Sequence, residues 1–145
     1  MNDHQSLTTI RQLALCYQAF ERFSLSQISA FDLTHRQFDI IATLGNTAGM
    51  TPKELTEKTL ITKGTLTGVI NRMVEKGLVK RIPSSQDGRS QVIQLTAAGN
   101  KKFNKTFPVV LAAMDEAFSN ARFDDHQNIQ DNLKDLRDIF TGDKQ

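Results

Sequence analysis

Residues 62–99 read TKGTLTGVINRMVEKGLVKRIPSSQDGRSQVIQLTAAG, and this stretch decides the fold. Leu66, Val69, Ile70, Met73 and Val74 recur at three- and four-residue steps, which predicts a helix with one buried side. Thr62 stands at the N-cap position and Gly77 stops the helix. The opposite side presents Lys63, Gly64, Thr65, Thr67, Gly68, Asn71 and Arg72, all small or polar. Each glycine inside a helix costs about 1 kcal/mol relative to Ala. Close approach to another surface would offset that cost, and a poor helix held by tertiary packing is the alternative. Lys80-Arg81-Ile82 and residues 91–95 then read as two hairpin strands, with turn-rich residues 83–88 between them. The turn continues as Asp87-Gly88-Arg89-Ser90, placing an arginine near its tip. Such a helix beside an arginine-tipped hairpin can fill a DNA major groove and reach the adjacent minor groove.

Working outward, Thr51-Pro52-Lys53-Glu54 is a capping box with proline at the first helical position, where its missing N–H costs nothing. It opens a short helix over residues 52–59 that buries Leu55. With Leu60-Ile61 as a tight connection, this helix and the next make a helix-turn-helix. Upstream, Thr34-His35-Arg36-Gln37 is a second capping box, and its helix buries Phe38, Ile41 and Leu44 before Gly45-Asn46. Residues 6–31 predict one long amphipathic helix through Leu7, Ile10, Leu13, Tyr17, Phe20, Ile28 and Phe31. Beyond the hairpin, Thr96 caps a fifth helix with Phe103, Phe107, Val110, Met114 and Phe118 in one stripe, and Pro108 predicts a bend. Asp124-Asp125 caps a sixth, whose Ile129, Leu133, Leu136 and Phe140 form a coiled-coil-like seam. The expected fold is mainly α: six helices plus a β-hairpin, a winged helix-turn-helix in a single domain over 1–145.

Composition sets the class. The 145 residues are 39% hydrophobic and 23% charged, ordinary for a globular chain able to bury a core. Cys16 is the only cysteine, which excludes an intramolecular disulfide framework and fits a reducing compartment. There is no signal-peptide pattern at the N-terminus and no bilayer-length apolar run, so the expected location is cytoplasmic. Net charge is +2, but residues 51–105 carry 11 basic and 4 acidic side chains, while residues 106–145 carry 4 basic and 8 acidic. A basic middle between acidic-to-neutral ends points to one polyanion-binding face.

Three motifs give this chain a family likeness: residues 33–41, residues 62–81 ending in Gly77-Leu78-Val79-Lys80-Arg81, and Asp87-Gly88-Arg89-Ser90 followed by Leu95-Thr96-Ala97-Ala98-Gly99. Together with the element order, they resemble the MarR family of winged helix-turn-helix transcriptional regulators. The resemblance implies a homodimer intertwined through its N- and C-terminal helices (1–32 and 100–145), with residues 33–99 as the double-stranded-DNA-binding lobe. Leu7, Ile10, Ile129, Leu133, Leu136 and Phe140 are the candidate dimerisation residues. In the major groove, Lys63, Thr65, Thr67, Asn71 and Arg72 are expected to face DNA. Asn can pair bidentately with adenine, Arg with guanine, and Thr can touch a thymine methyl. Thr62 and Lys63 suit phosphates at the helix N-terminus. Arg89 is expected in the minor groove, oriented by Asp87, with Lys80, Arg81 and Ser90 on phosphates. The family often has a long basic side chain where this chain has Gly68, which implies a different operator preference. It also implies a repressor answering a small-molecule effector, with Phe20, Phe23, Phe38 and Ile41 as candidate pocket residues, although aromatic stripes at helical spacing are more often plain core.

Other classes are less supported by the residues. No phosphate loop, nucleophile elbow or metal-hydrolase motif is present, so no catalytic residue and no cofactor are implied. His4, His35 and His126 are scattered, and no metal site is expected. Two alternatives stay open: a redox-sensing regulator acting through Cys16, and a winged helix that binds protein or RNA instead of duplex DNA.

Overall fold

Two capping boxes start the central helices. The Thr34 hydroxyl accepts from the Gln37 N–H at 3.2 Å while Gln37 Oε1 accepts from the Thr34 N–H at 3.1 Å, opening α2 (His35–Leu44). Thr51 and Glu54 repeat the exchange at 3.2 Å each and open α3 (Pro52–Lys58). The chain is described here from a computed structural model over residues 4–84, 90–119 and 125–142. Before α2 comes α1 (Gln5–Ile28), and after α3 come α4 (Lys63–Glu75), β1 (Val79–Pro83), β2 (Gln91–Leu95), α5 (Ala97–Ser119) and α6 (His126–Thr141). These described elements match the expected six helices and hairpin.

The first helix is shorter than its periodicity predicts. It ends at Ile28, and a 3-10 turn over Ser29–Phe31 leads to Asp32 at φ 56, a left-handed residue that no α-helix accommodates. Thr62 takes the extended N-cap conformation of α4 but makes no side-chain cap bond; its hydroxyl donates instead to Thr65 Oγ1 at 3.2 Å. Val74 faces outward, 38% exposed, so the buried stripe of α4 is Leu66, Val69, Ile70 and Met73. Gly77, at φ 72, closes α4 with two reversed bonds: Leu78 N–H to Met73 C=O and Gly77 N–H to Val74 C=O, each 2.9 Å. The fifth helix runs through Pro108 as one element.

The chain forms two compact units, residues 1–111 and 112–145. In the first, Ile28, Ile40, Ile41, Leu55, Met73 and Ile93 are completely or almost completely enclosed, drawing one apolar core from α1, α2, α3, α4 and β2. Burial of each such side chain contributes on the order of 2 kcal/mol. β1 and β2 pair antiparallel, Val79 opposite Leu95 and Arg81 opposite Ile93. Ile93 also exchanges two backbone bonds with Met50, at 2.7 and 2.9 Å, which ties the hairpin to the residue just before α3. Gly45 permits the Phe103 ring to pack against α2's end, since a Cβ there would lie 2.2 Å from that ring. In the second unit, the Asp125 side chain caps α6 by accepting from the Asn128 N–H at 2.9 Å, and the Phe118 and His126 rings lie tilted at 50° with centroids 4.9 Å apart.

Candidate nucleic-acid interface

α4 is held by its apolar side and leaves the other side open. Lys63, Gly64, Thr67, Gly68, Asn71 and Arg72 are exposed, Thr65 is half-buried, and the space above Gly64 and Gly68 is empty: a Cβ on either would meet nothing within 4 Å. Neither glycine therefore serves packing among the described residues. Beside α4 stands β1. From Val79 to Pro83 its side chains run buried, exposed, half-buried, half-buried and exposed, and the pleat puts Arg81 on the Val79 side. The Arg81 guanidinium donates to Asn71 Oδ1, joining the strand to the outer side of the helix. Ser90 is half-buried just before β2, while Asp87 and Arg89 lie outside the described residues.

The hairpin is clasped at its base. The Thr96 N–H donates to the Leu78 carbonyl at 3.0 Å, the Thr96 hydroxyl donates to the Gly77 carbonyl, and the Gly99 N–H donates to the Thr96 hydroxyl at 3.0 Å. Gly99 is what lets α5 start so close: its Cβ would fall 2.0 Å from the Leu78 oxygen.

Behind the helix-turn-helix lies a cleft of about 350 Å³, lined by Tyr17 and Glu21 of α1, His35, Arg36 and Asp39 of α2, Leu60 and Ile61 of the turn, and Val69 and Arg72 of α4. A smaller hollow of about 190 Å³ shares Tyr17, His35, Asp39 and Leu60 and adds Phe20. His35 Nδ1 sits 3.7 Å from Asp39 Oδ2, and the imidazole stands edge-on to Phe20 at 6.2 Å. Burial pushes the Asp39 carboxyl up, against the opposing pull of His35. Burial, with the Glu21 carboxylate beside it and Asp39 beyond, also raises the Tyr17 phenol. Phe38 and Ile41, expected as pocket residues or plain core, sit in the core. They are 7% and 0% exposed, enclosed by apolar neighbours, and line neither hollow; Phe23 is half-buried and lines neither. The cleft's polar lining was readable only in part, from the i, i+4 spacing of His35 with Asp39 and of Tyr17 with Glu21. Among the described residues, no cluster of three or more His, Cys, Asp or Glu is placed to hold a metal ion, and no helix is long and apolar enough to cross a membrane.

Known proteins share this arrangement. Residues 31–90 match the MarR family. The multiple antibiotic resistance protein MarR of Escherichia coli K12 is 32% identical over 89 residues, 61% of this chain and 62% of that protein. The structure of a point mutant of E. coli MarR complexed with operator DNA superposes with a TM-score of 0.81 at 25% identity, covering 94% of this chain and 98% of that one. Together these matches support a MarR-family winged-helix regulator. An uncharacterised HTH-type transcriptional regulator of Bacillus cereus is 29% identical over 136 residues, 94% of this chain and 86% of the relative. The MarR fold is also shared with the Staphylococcus aureus MepR–DNA complex, at a TM-score of 0.78 and 18% identity over 89% of this chain and 96% of that one. In this chain the winged helix-turn-helix comprises α2, α3, α4 and the β1–β2 hairpin.

Proposed function

We propose that this chain is a ligand-responsive repressor that binds a pseudo-palindromic operator duplex as a homodimer, with residues 33–99 as its DNA-binding lobe. The observation that carries the reading is the outward side of α4, polar, cationic at Lys63 and Arg72, and cleared of side chains at Gly64 and Gly68. A helix of that profile fits the major groove. Thr62 and Lys63 at its N-terminus suit phosphate, and Thr67, Asn71 and Arg72 suit base edges. Lys80, Arg81 and Ser90 would hold the backbone beside the hairpin, and Arg89, with Asp87 two residues before it, would enter the minor groove.

Dimerisation is supported by apolar surface left uncovered in each unit. Residues 5–22 of α1 include no buried side chain, and Leu7 is 67% exposed and Ile10 38%. On α6, Leu133 is 51% and Phe140 68% exposed, with Ile129 and Leu136 half-buried. A second copy is the partner that would cover such faces. A two-fold dimer reads half-sites about 10 bp apart. The ligand response is supported by the cleft, whose wall includes Val69 and Arg72 of the DNA-facing helix, so an occupant touches α4 directly. The role is regulatory and cytoplasmic, with no catalytic step.

A titration of purified protein against its own upstream intergenic duplex and a scrambled duplex, at two salt concentrations, tests this. Saturable preference for the cognate duplex, steeply salt-dependent and weakened by Arg89→Ala, is expected. Equal weak binding to both duplexes, indifferent to the mutation, would overturn it.

A further inference from the structure

The Arg81–Asn71 contact deepens the DNA-binding reading, on which it rests. An asparagine amide offers two N–H donors on Nδ2 and two acceptor sites on Oδ1. A guanidinium has donors only, so the amide atom that faces Arg81 is necessarily the oxygen. Nδ2 is then turned the other way. Asn71 is exposed on the outer side of α4, and Arg81 reaches it from β1. Lys80, the strand neighbour, points to the opposite side and makes no equivalent constraint.

This changes what Asn71 can read. Bidentate pairing with adenine needs the amide oxygen and nitrogen presented together, one to N6–H and one to N7. With Oδ1 held towards Arg81 and one of its two acceptor sites taken, the amide turns its N–H donors towards the groove. In the major groove guanine presents two acceptors, N7 and O6, whereas adenine places a donor beside its single acceptor. We infer that Arg81 is a positioning residue that fixes the Asn71 amide donor-outward and so turns its preference from adenine to guanine. The cationic guanidinium also strengthens the bond it makes, because hydrogen bonds from charged donors are about twice as strong as neutral ones.

The experiment is selection of bound duplexes from a randomised pool by wild type, Asn71→Ala, Arg81→Met and the double variant, with circular dichroism confirming that each is folded. Asn71→Ala identifies the base position that Asn71 reads. There, wild type should favour guanine over adenine by roughly 5-fold or more, Arg81→Met should lose or reverse that preference, and the double variant should match Asn71→Ala. An Arg81 that serves only as a phosphate contact would weaken all sites evenly, lower the salt slope by about one and leave the base preference intact. That result overturns the inference, as does an adenine preference in wild type or an Asn71→Ala pool indistinguishable from wild type. A wild-type protein that enriches no sequence at all would overturn the DNA-binding reading itself, and the inference with it.

Discussion

Replacing Gly68 by Ala should make the protein more stable and a poorer DNA binder. The residue lies in the interior of α4, at ordinary helical φ, and an added Cβ meets no atom within 4 Å. The substitution therefore carries no clash and gains no contact. What remains is the helix-propensity difference, about 1 kcal/mol in favour of Ala. For a chain of this size that corresponds to a rise in Tm of about 4 °C. Gly64 lies in the first turn, where fewer helical bonds depend on it, and should give a smaller gain. Gly77→Ala supplies the contrast. Its surroundings are equally empty, but its φ of 72 lies in the left-handed region, so the same methyl should cost about 1 kcal/mol. If Gly68 is kept for close approach to DNA, a methyl in the gap should weaken operator binding by roughly 5-fold or more, about the effect of 1 kcal/mol. Thermal unfolding followed at 222 nm and duplex titration of the same preparation read both quantities. A Gly68→Ala protein with raised Tm and unchanged operator affinity would refute the close-approach reasoning, and an unchanged Tm would refute the magnitude drawn from α4.

Three further outcomes are expected. Gly99→Ala should lower stability by about 3 kcal/mol, because its Cβ would sit 2.0 Å from the Leu78 oxygen at the hairpin base, and a urea midpoint within error of wild type would contradict that packing. Asp39→Asn should become progressively more stable relative to wild type as pH rises from the ordinary aspartate range through the raised folded value. The native carboxyl holds its proton above the point where the unfolded chain releases it, so wild-type stability drains across that window; a pH-independent difference between the two proteins would count against it. Phe140→Asp should shift the sedimentation of the protein towards a single-chain mass at micromolar concentration, whereas an unaltered dimer would remove α6 from the interface.

Local grammar made most of the fold readable. The boxes at Thr34 and Thr51 are complete within four residues, Gly77 is a left-handed stop, and residues 91–95 pair where their alternation places them. The misses all involve partners distant in sequence or competing locally. Thr62 finds the Thr65 hydroxyl instead of a backbone N–H, and Asp32 turns the chain where the apolar period would have run on. The Met50–Ile93 exchange spans 43 positions, and nothing in either neighbourhood announces it. For the candidate interface, the outer side of α4 followed from its period. The Arg81–Asn71 bond and the polar lining of the cleft did not, since each needs two or more elements to be packed before its side chains meet. Asp87 and Arg89 rest on the motif alone.

The clasp at the foot of the hairpin has an evolutionary corollary. With Leu78 and Thr96 bonded across the base and Gly99 seated on the Leu78 carbonyl, both ends of the intervening segment are anchored independently of what lies between. Lengthening a surface loop costs little, only about 0.6 kcal/mol per doubling. Changes of sequence or length between β1 and β2 should therefore leave the helices that carry the fold in register.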